Sequence, residues 1–216
     1  QALEWIPRIT EPQRKSFEVA AHRDGYTDFR ITERSTHNSL VTAQRREEYF
    51  PVYFIEPMKG NAAAFGFDLA SNAARKAALI EARDSGRMVS TKRIKLVQET
   101  GNQSGFLTFL PIYSSNTKPG SIPETLAQRR RNLTGFALGV FRVGDLVEKA
   151  LIDSTIPAEI DIYLIDEDAA GSDRLLHYRP SPLRQKSALA FHETDLLHGL
   201  YLKESYNVGG RSWSII

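Results

Sequence analysis

One stretch limits the architecture more than any other. Residues 71–86, SNAARKAALIEARDSG, place Ala74, Ala77, Ala78 and Ala82 on roughly one face of a helix, and Gly86 stands just past the end, where a C-cap belongs. Nearly everything around it reads as strand. YFPVYFIEP (49–57) and AAAFGFD (62–68) precede it, and MVSTKRIKLVQE (88–99) and GFLTFLPIYSS (105–115) follow, joined by TGNQ as a hairpin turn. A short helix among antiparallel strands must lie across a sheet, because a sheet hides an apolar face only against another layer.

The rest of the chain repeats this plan. The opening ALEWIPRITEPQRKSFEVAAHRDG reads as a helix arriving from upstream, bent at Pro7 and Pro12 and running to about Ala21. FRITE (29–33) is a short strand, and the polar STHNSLVTAQRREE is a loop or short helix. LTGFALGVFRV (133–143) is a strand and GDLVEKALID (144–153) a helix. EIDIYLIDE (159–167), RLLHYRP (174–180), SALAFHETD (187–195), HGLYLKESY (198–206) and RSWSII (211–216) read as five further strands. The expected class is α+β: an N-terminal helix followed by two tandem units, each an antiparallel sheet with helical cover.

Several function classes lose their support. With 28 basic against 26 acidic residues the net charge is only +2, and the RRR at 129–131 lacks interleaved aromatics, so nucleic acid is not an expected partner. There are no cysteines, and the five histidines are scattered without metal-site spacing, His192 and His198 bracketing a turn. No nucleophile elbow, P-loop or dinucleotide-binding motif occurs, so neither catalysis nor a cofactor is expected. No apolar run reaches the ~18–20 residues that cross a bilayer. A chain that starts at Gln1 and stops within a strand is expected to be part of something longer, with membrane anchors outside it.

One constellation survives. In TGFALGVF, Gly135, Ala137 and Gly139 alternate on one strand face while Phe136, Leu138 and Val140 take the other. In the neighbouring run, Phe106, Thr108, Leu110 and Ile112 form an alternate set that is apolar but for one hydroxyl, the composition of a small-ligand pocket. Small residues equally let a helix pack closely on the sheet. Asp68, at a strand end with Ser71 better placed to cap the helix, either faces a ligand or meets an internal partner such as Arg75.

The segments YFPV, GFDLAS, ALIEARDSG, LVQE, FLTFLPIY and LTGFALGVFRVGDLVEKAL resemble those of CHASE domains, the extracytoplasmic sensory modules of histidine kinases and of diguanylate or adenylate cyclases, including plant cytokinin receptors. The resemblance implies a stalk helix (residues 1–28), a membrane-distal PAS-like ligand-binding unit (29–142) and a membrane-proximal PAS-like unit (143–216). It implies a sensor rather than an enzyme, the periplasmic or extracellular portion of a bacterial inner-membrane receptor, homodimeric through the N-terminal helix. Leu3, Ile6 and Phe17 fit that dimer or packing on the sheet. In the cytokinin-binding members the residue matching Asp68 bonds an adenine-like ring, a backbone position matching Val89 or Ser90 contacts it, and the threonine matching Thr108 lines the pocket. The bulkier YFPVYFIEP and FLTFLPIY depart from the plant segments, so the implied partner is a small molecule, adenine-like or another small polar compound.

Overall fold

A computed structural model of the protein describes residues 1–97, 104–114, 120–152, 157, 159–181, 183 and 200–216. It opens on a strand, not a helix. In β1 (Ala2–Pro7) the period is two: Ala2, Glu4 and Ile6 are buried, Leu3 is exposed and Trp5 half-buried. β2 (Ile9–Thr10) then runs into α1 (Glu11–Arg23), where Pro12 occupies the first turn, which needs no N–H, and the Gln13 side chain accepts the Thr10 N–H at 3.0 Å. The helix expected to cross residues 2–10 is thus corrected, and Leu3, Ile6 and Phe17 share no helical face.

β3 (Thr32–Arg34) pairs with β4 (Leu40–Thr42), and β5 (Glu48–Tyr49) with β2. Only β6 (Phe54–Glu56) of YFPVYFIEP joins the main sheet. The expected strand AAAFGFD instead makes a 3-10 turn at Ala62–Ala64, with Phe67 and Asp68 held by single bridges to Thr32 and Pro51. α2 (Ala73–Ser85) is the helix foreseen from its alanines. Asn72, not Ser71, is its N-cap, and Gly86 ends it at φ 72°, a left-handed conformation natural to glycine.

There follow β7 (Val89–Ser90), β8 (Gly105–Tyr113), α3 (Leu126–Asn132), β9 (Leu133–Arg142), α4 (Val143–Leu151), β10 (Ile162–Asp166), β11 (Leu175–Arg179), β12 (Glu204–Val208) and β13 (Arg211–Ile215). The TGNQ turn, the strand expected at 187–195, and His192 and His198 lie outside the described residues.

The architecture is mixed α+β. Among the described residues, the larger sheet has the order β6-β1-β9-β8-β7 and the smaller β11-β10-β13-β12, with every neighbouring pair antiparallel. β1 is inserted between β6 and β9, pairing Ala2 with Val140 and Pro7 with Gly135. On the inner face Ile6, Leu107, Phe109, Phe136, Leu138 and Val140 pack with Ala78, Leu79 and Ala82 of α2. A second core, around Phe29, Ile31, Tyr49 and Tyr53, lies against Phe17 of α1.

A third cluster joins the two sheets. Phe106 stacks on Phe141 at 5.0 Å and meets Trp213 edge-on at 4.8 Å, beside Val143, Leu164 and Leu176. At the same joint the Ser90 N–H donates to the Gly209 carbonyl at 2.8 Å, and Arg93 reaches the Leu175 carbonyl at 2.9 Å. Phe136, fully buried between Phe50 and Phe109, anchors the inner face. Phe136→Ala is expected to cost about 3–5 kcal/mol of unfolding free energy in urea titration. A loss under about 1 kcal/mol would mean that this face is not the core.

Candidate functional site

Asp68 is fully buried, and its carboxylate is occupied by the protein itself. Oδ1 accepts the backbone N–H of Phe50 at 2.8 Å and of Ala70 at 3.1 Å, capping the 3-10 turn Leu69–Ser71. Oδ2 meets Arg46 Nη1 at 2.5 Å, and the other terminal nitrogen of Arg46 pairs with Glu33. Burial pushes the Asp68 carboxyl above its ordinary value, against the pull of these donors. Its ion partner is therefore Arg46, drawn from the polar 35–48 stretch, rather than Arg75. A groove of about 370 Å³ opens beside this knot, lined in part by Arg46, Phe50, Lys76, Leu79 and Arg83.

The sheet divides the residues singled out in the sequence. Asp68 and Val89 lie on the helix side, Val89 within the inner core. Thr108, Phe106, Gly135, Ala137 and Gly139 belong to the opposite set of the alternation, on the outer face. There Ser90 Oγ and Thr108 Oγ1 share a hydrogen bond of 2.9 Å and Phe106 is committed to the joint. The small residues of β9 answer to crowding: a Cβ at Gly135 would come within 2.3 Å of the Ile6 carbonyl oxygen, and one at Gly139 within 2.6 Å of the Phe141 ring. The structure thus gathers these residues into no single cavity.

It brings together two others instead. Glu4 and Arg75 are 93–94% buried, at 7% and 6% exposure, within the inner core. Glu4 stands on β1 between Ile55 and Leu138, and Arg75 lies over the Phe67 ring at 5.3 Å. Arg75 Nη2 donates to the Lys95 carbonyl at 3.0 Å, while Arg75 Nε and Glu4 Oε1 have no hydrogen-bond partner among the described residues. Each feels the other's charge without an ion pair closing between them. Burial lifts the Glu4 carboxyl from 4.5 to about 7, and burial with the neighbouring Arg34 lowers Arg75 to about 10. The signal was present in the sequence: Arg75 falls on the buried stripe with Ala78, Leu79 and Ala82, and period two in ALEWIP puts Glu4 on the inward set.

Elsewhere the RRR run staples α3 to the end of α2, with Arg130 Nη2 meeting Asp84 Oδ2 at 2.5 Å and Arg129 Nε donating to the Asp84 carbonyl at 2.7 Å. Among the described residues no cluster of His, Asp and Glu is placed to hold a metal, and no helix is long and apolar enough to cross a membrane.

With this geometry in place, comparison with known proteins is decisive for the family. The family model described as CHASE domain matches residues 1–177, from β1 through the larger sheet and into β11. The chain belongs to the CHASE domain family. The hybrid signal transduction histidine kinase A of Dictyostelium discoideum is 26% identical over 227 residues, a match covering 100% of this chain and 10% of that protein. This CHASE domain thus spans about a tenth of the length of the curated relative it matches.

Two outcomes follow for the domain's charges. Asp68→Ala removes one of the two carboxylates on Arg46, which keeps Glu33, and leaves the Phe50 and Ala70 N–H groups without their acceptor, so a loss of about 2–4 kcal/mol is expected in chemical denaturation, with Asp68→Asn recovering only part. Folding raises the Glu4 pKa above its unfolded value. Its contribution is therefore full below about 4.5 and lost as pH climbs through about 7. Glu4→Gln should flatten the fall in melting temperature between those pH values, and an unchanged slope would assign it to other groups.

Proposed function

We propose that this CHASE domain is the ligand-sensing portion of a membrane-anchored signalling receptor, lying outside the cytoplasm and feeding a histidine-kinase output beyond this chain. Family membership and the kinase relative support the sensory role, and the sheet-with-helical-cover plan of both halves supports the PAS-like arrangement. The observation that carries the reading is the double use of β8 and β9. Leu107 and Phe109 point into the inner core, and Phe106, between Gly105 and Leu107 on the same strand, packs on Trp213 of the smaller sheet. A ligand that prefers one arrangement of the inner core shifts the population of that arrangement, and the shared strands bias the joint with it.

A second reading, a ligand-free interaction module, is favoured by the outer face of the larger sheet, where Leu3, Phe54 and Leu110 are 70%, 53% and 45% exposed. The two separate by experiment. Trp213 sits in the joint and Trp5 outside it, so in a Trp5→Phe background the remaining indole emission follows the joint. In a screen of purines, amino acids and small carboxylates, the sensory reading expects a compound that raises the melting temperature saturably and also moves that emission. If no compound does either, the interaction module is the better account.

A further inference from the structure

Glu4 and Arg75 are costly where they stand. An unsatisfied polar group in an apolar core is destabilising, and a charged one more so. Unlike Asp68, these two are answered by the fold only in part: Arg75 Nη2 has the Lys95 carbonyl, but Glu4 Oε1 and Arg75 Nε are unpartnered among the described residues, and no ion pair closes between them. The other charged groups nearby are committed. Asp68 and Glu33 hold Arg46, and Arg34 donates to the Val97 and Asn38 carbonyls. Arg75 lies over the Phe67 ring with Nη2 held by the Lys95 carbonyl, and its buried Nε lacks an acceptor, the role a carboxylate fills on a guanidinium.

Charge balance narrows the occupant. A simple cation would pair with Glu4 but add to the positive charge of Arg75 and Arg34, and a simple anion would pair with Arg75 but face Glu4. A molecule with both groups on adjacent atoms compensates each and leaves the net charge of the core unchanged. Building on the sensory reading above, we propose that Glu4 and Arg75 form the two poles of a binding site for a small zwitterion of the α-amino acid type, its carboxylate on Arg75 and its ammonium on Glu4. The apolar neighbours Ile55, Phe67 and Leu138 then surround the carbon skeleton.

The test is a thermal-shift and calorimetric titration of the chain at pH 8, where Glu4 is ionised, with the common L-amino acids. For leucine the matched controls are isocaproate, which lacks the amine, and isoamylamine, which lacks the carboxylate, with adenine as an unrelated probe. Expected is saturable stabilisation by at least one amino acid, with both its truncated analogues at least about tenfold weaker, as the loss of one charge-assisted hydrogen bond implies. Glu4→Gln should weaken that amino acid by about tenfold and strengthen the amine-free analogue, which no longer faces a second carboxylate, while Arg75→Gln should weaken both. Circular dichroism establishes that each variant is folded, with Arg75→Lys replacing Arg75→Gln if the latter is not. Amino acid binding that ignores Glu4→Gln overturns the site. Stabilisation by adenine or another class with none by amino acids overturns the inference and leaves the sensory reading standing, whereas silence from every compound overturns both.

Discussion

The insertion of β1 between β6 and β9 is the constraint on which the larger half of the molecule depends. The other strands of the larger sheet come from residues 54–142, so residues 2–7 lie inside it, next to its central strand β9. That pairing carries Ile6 and Glu4 into the inner core and presses the β1 backbone so tightly on β9 that Gly135 has no room for a side chain. Such a contact, made across about the whole unit, has to wait for its partner strand before its loop-closure entropy is offset.

How much was legible in the sequence follows from how local each signal is. α2 and α4 and the long strands β8 and β9 declare themselves within a single window, whereas pairing is only partly local: the hairpin expected of 88–99 with 105–115 is present as β7 on β8, and β9 takes the other edge of β8. β1 does not declare itself, because its six residues end on Pro7, with Pro12 soon after, a spacing that suits a bent helix as well as a strand end, and the partner that decides is far along the chain. AAAFGFD misleads in the opposite direction: a composition fit for a strand is overridden by local backbone bonds, Ala64 N–H to the Asn61 carbonyl and Phe67 N–H to the Ala64 carbonyl, and by Gly66 at φ 78°.

The candidate site was legible in kind but not in place. The sequence leaves Asp68 facing either a ligand or an internal partner such as Arg75, and the structure pairs it with Arg46, from a stretch whose polarity reads as plain loop. The charges left over are Glu4 and Arg75, each hidden by a regular pattern: one inside a strand read as helix, the other among alanines that draw attention to themselves. Thr108, Gly135, Ala137 and Gly139 share the outer side of the sheet, and the sheet stands between that side and Asp68.

The contact of Ser90 with Gly209 has a consequence for solubility. β7 is the last strand of its sheet, and its outward N–H groups form the kind of open edge along which chains add to one another. The turn between β12 and β13 takes up that edge at Ser90, so the smaller half of the molecule acts as a guard against strand-by-strand association of the larger. A chain cut after α4 would keep the inner core but expose the rim of its sheet, inviting copies to join edge to edge.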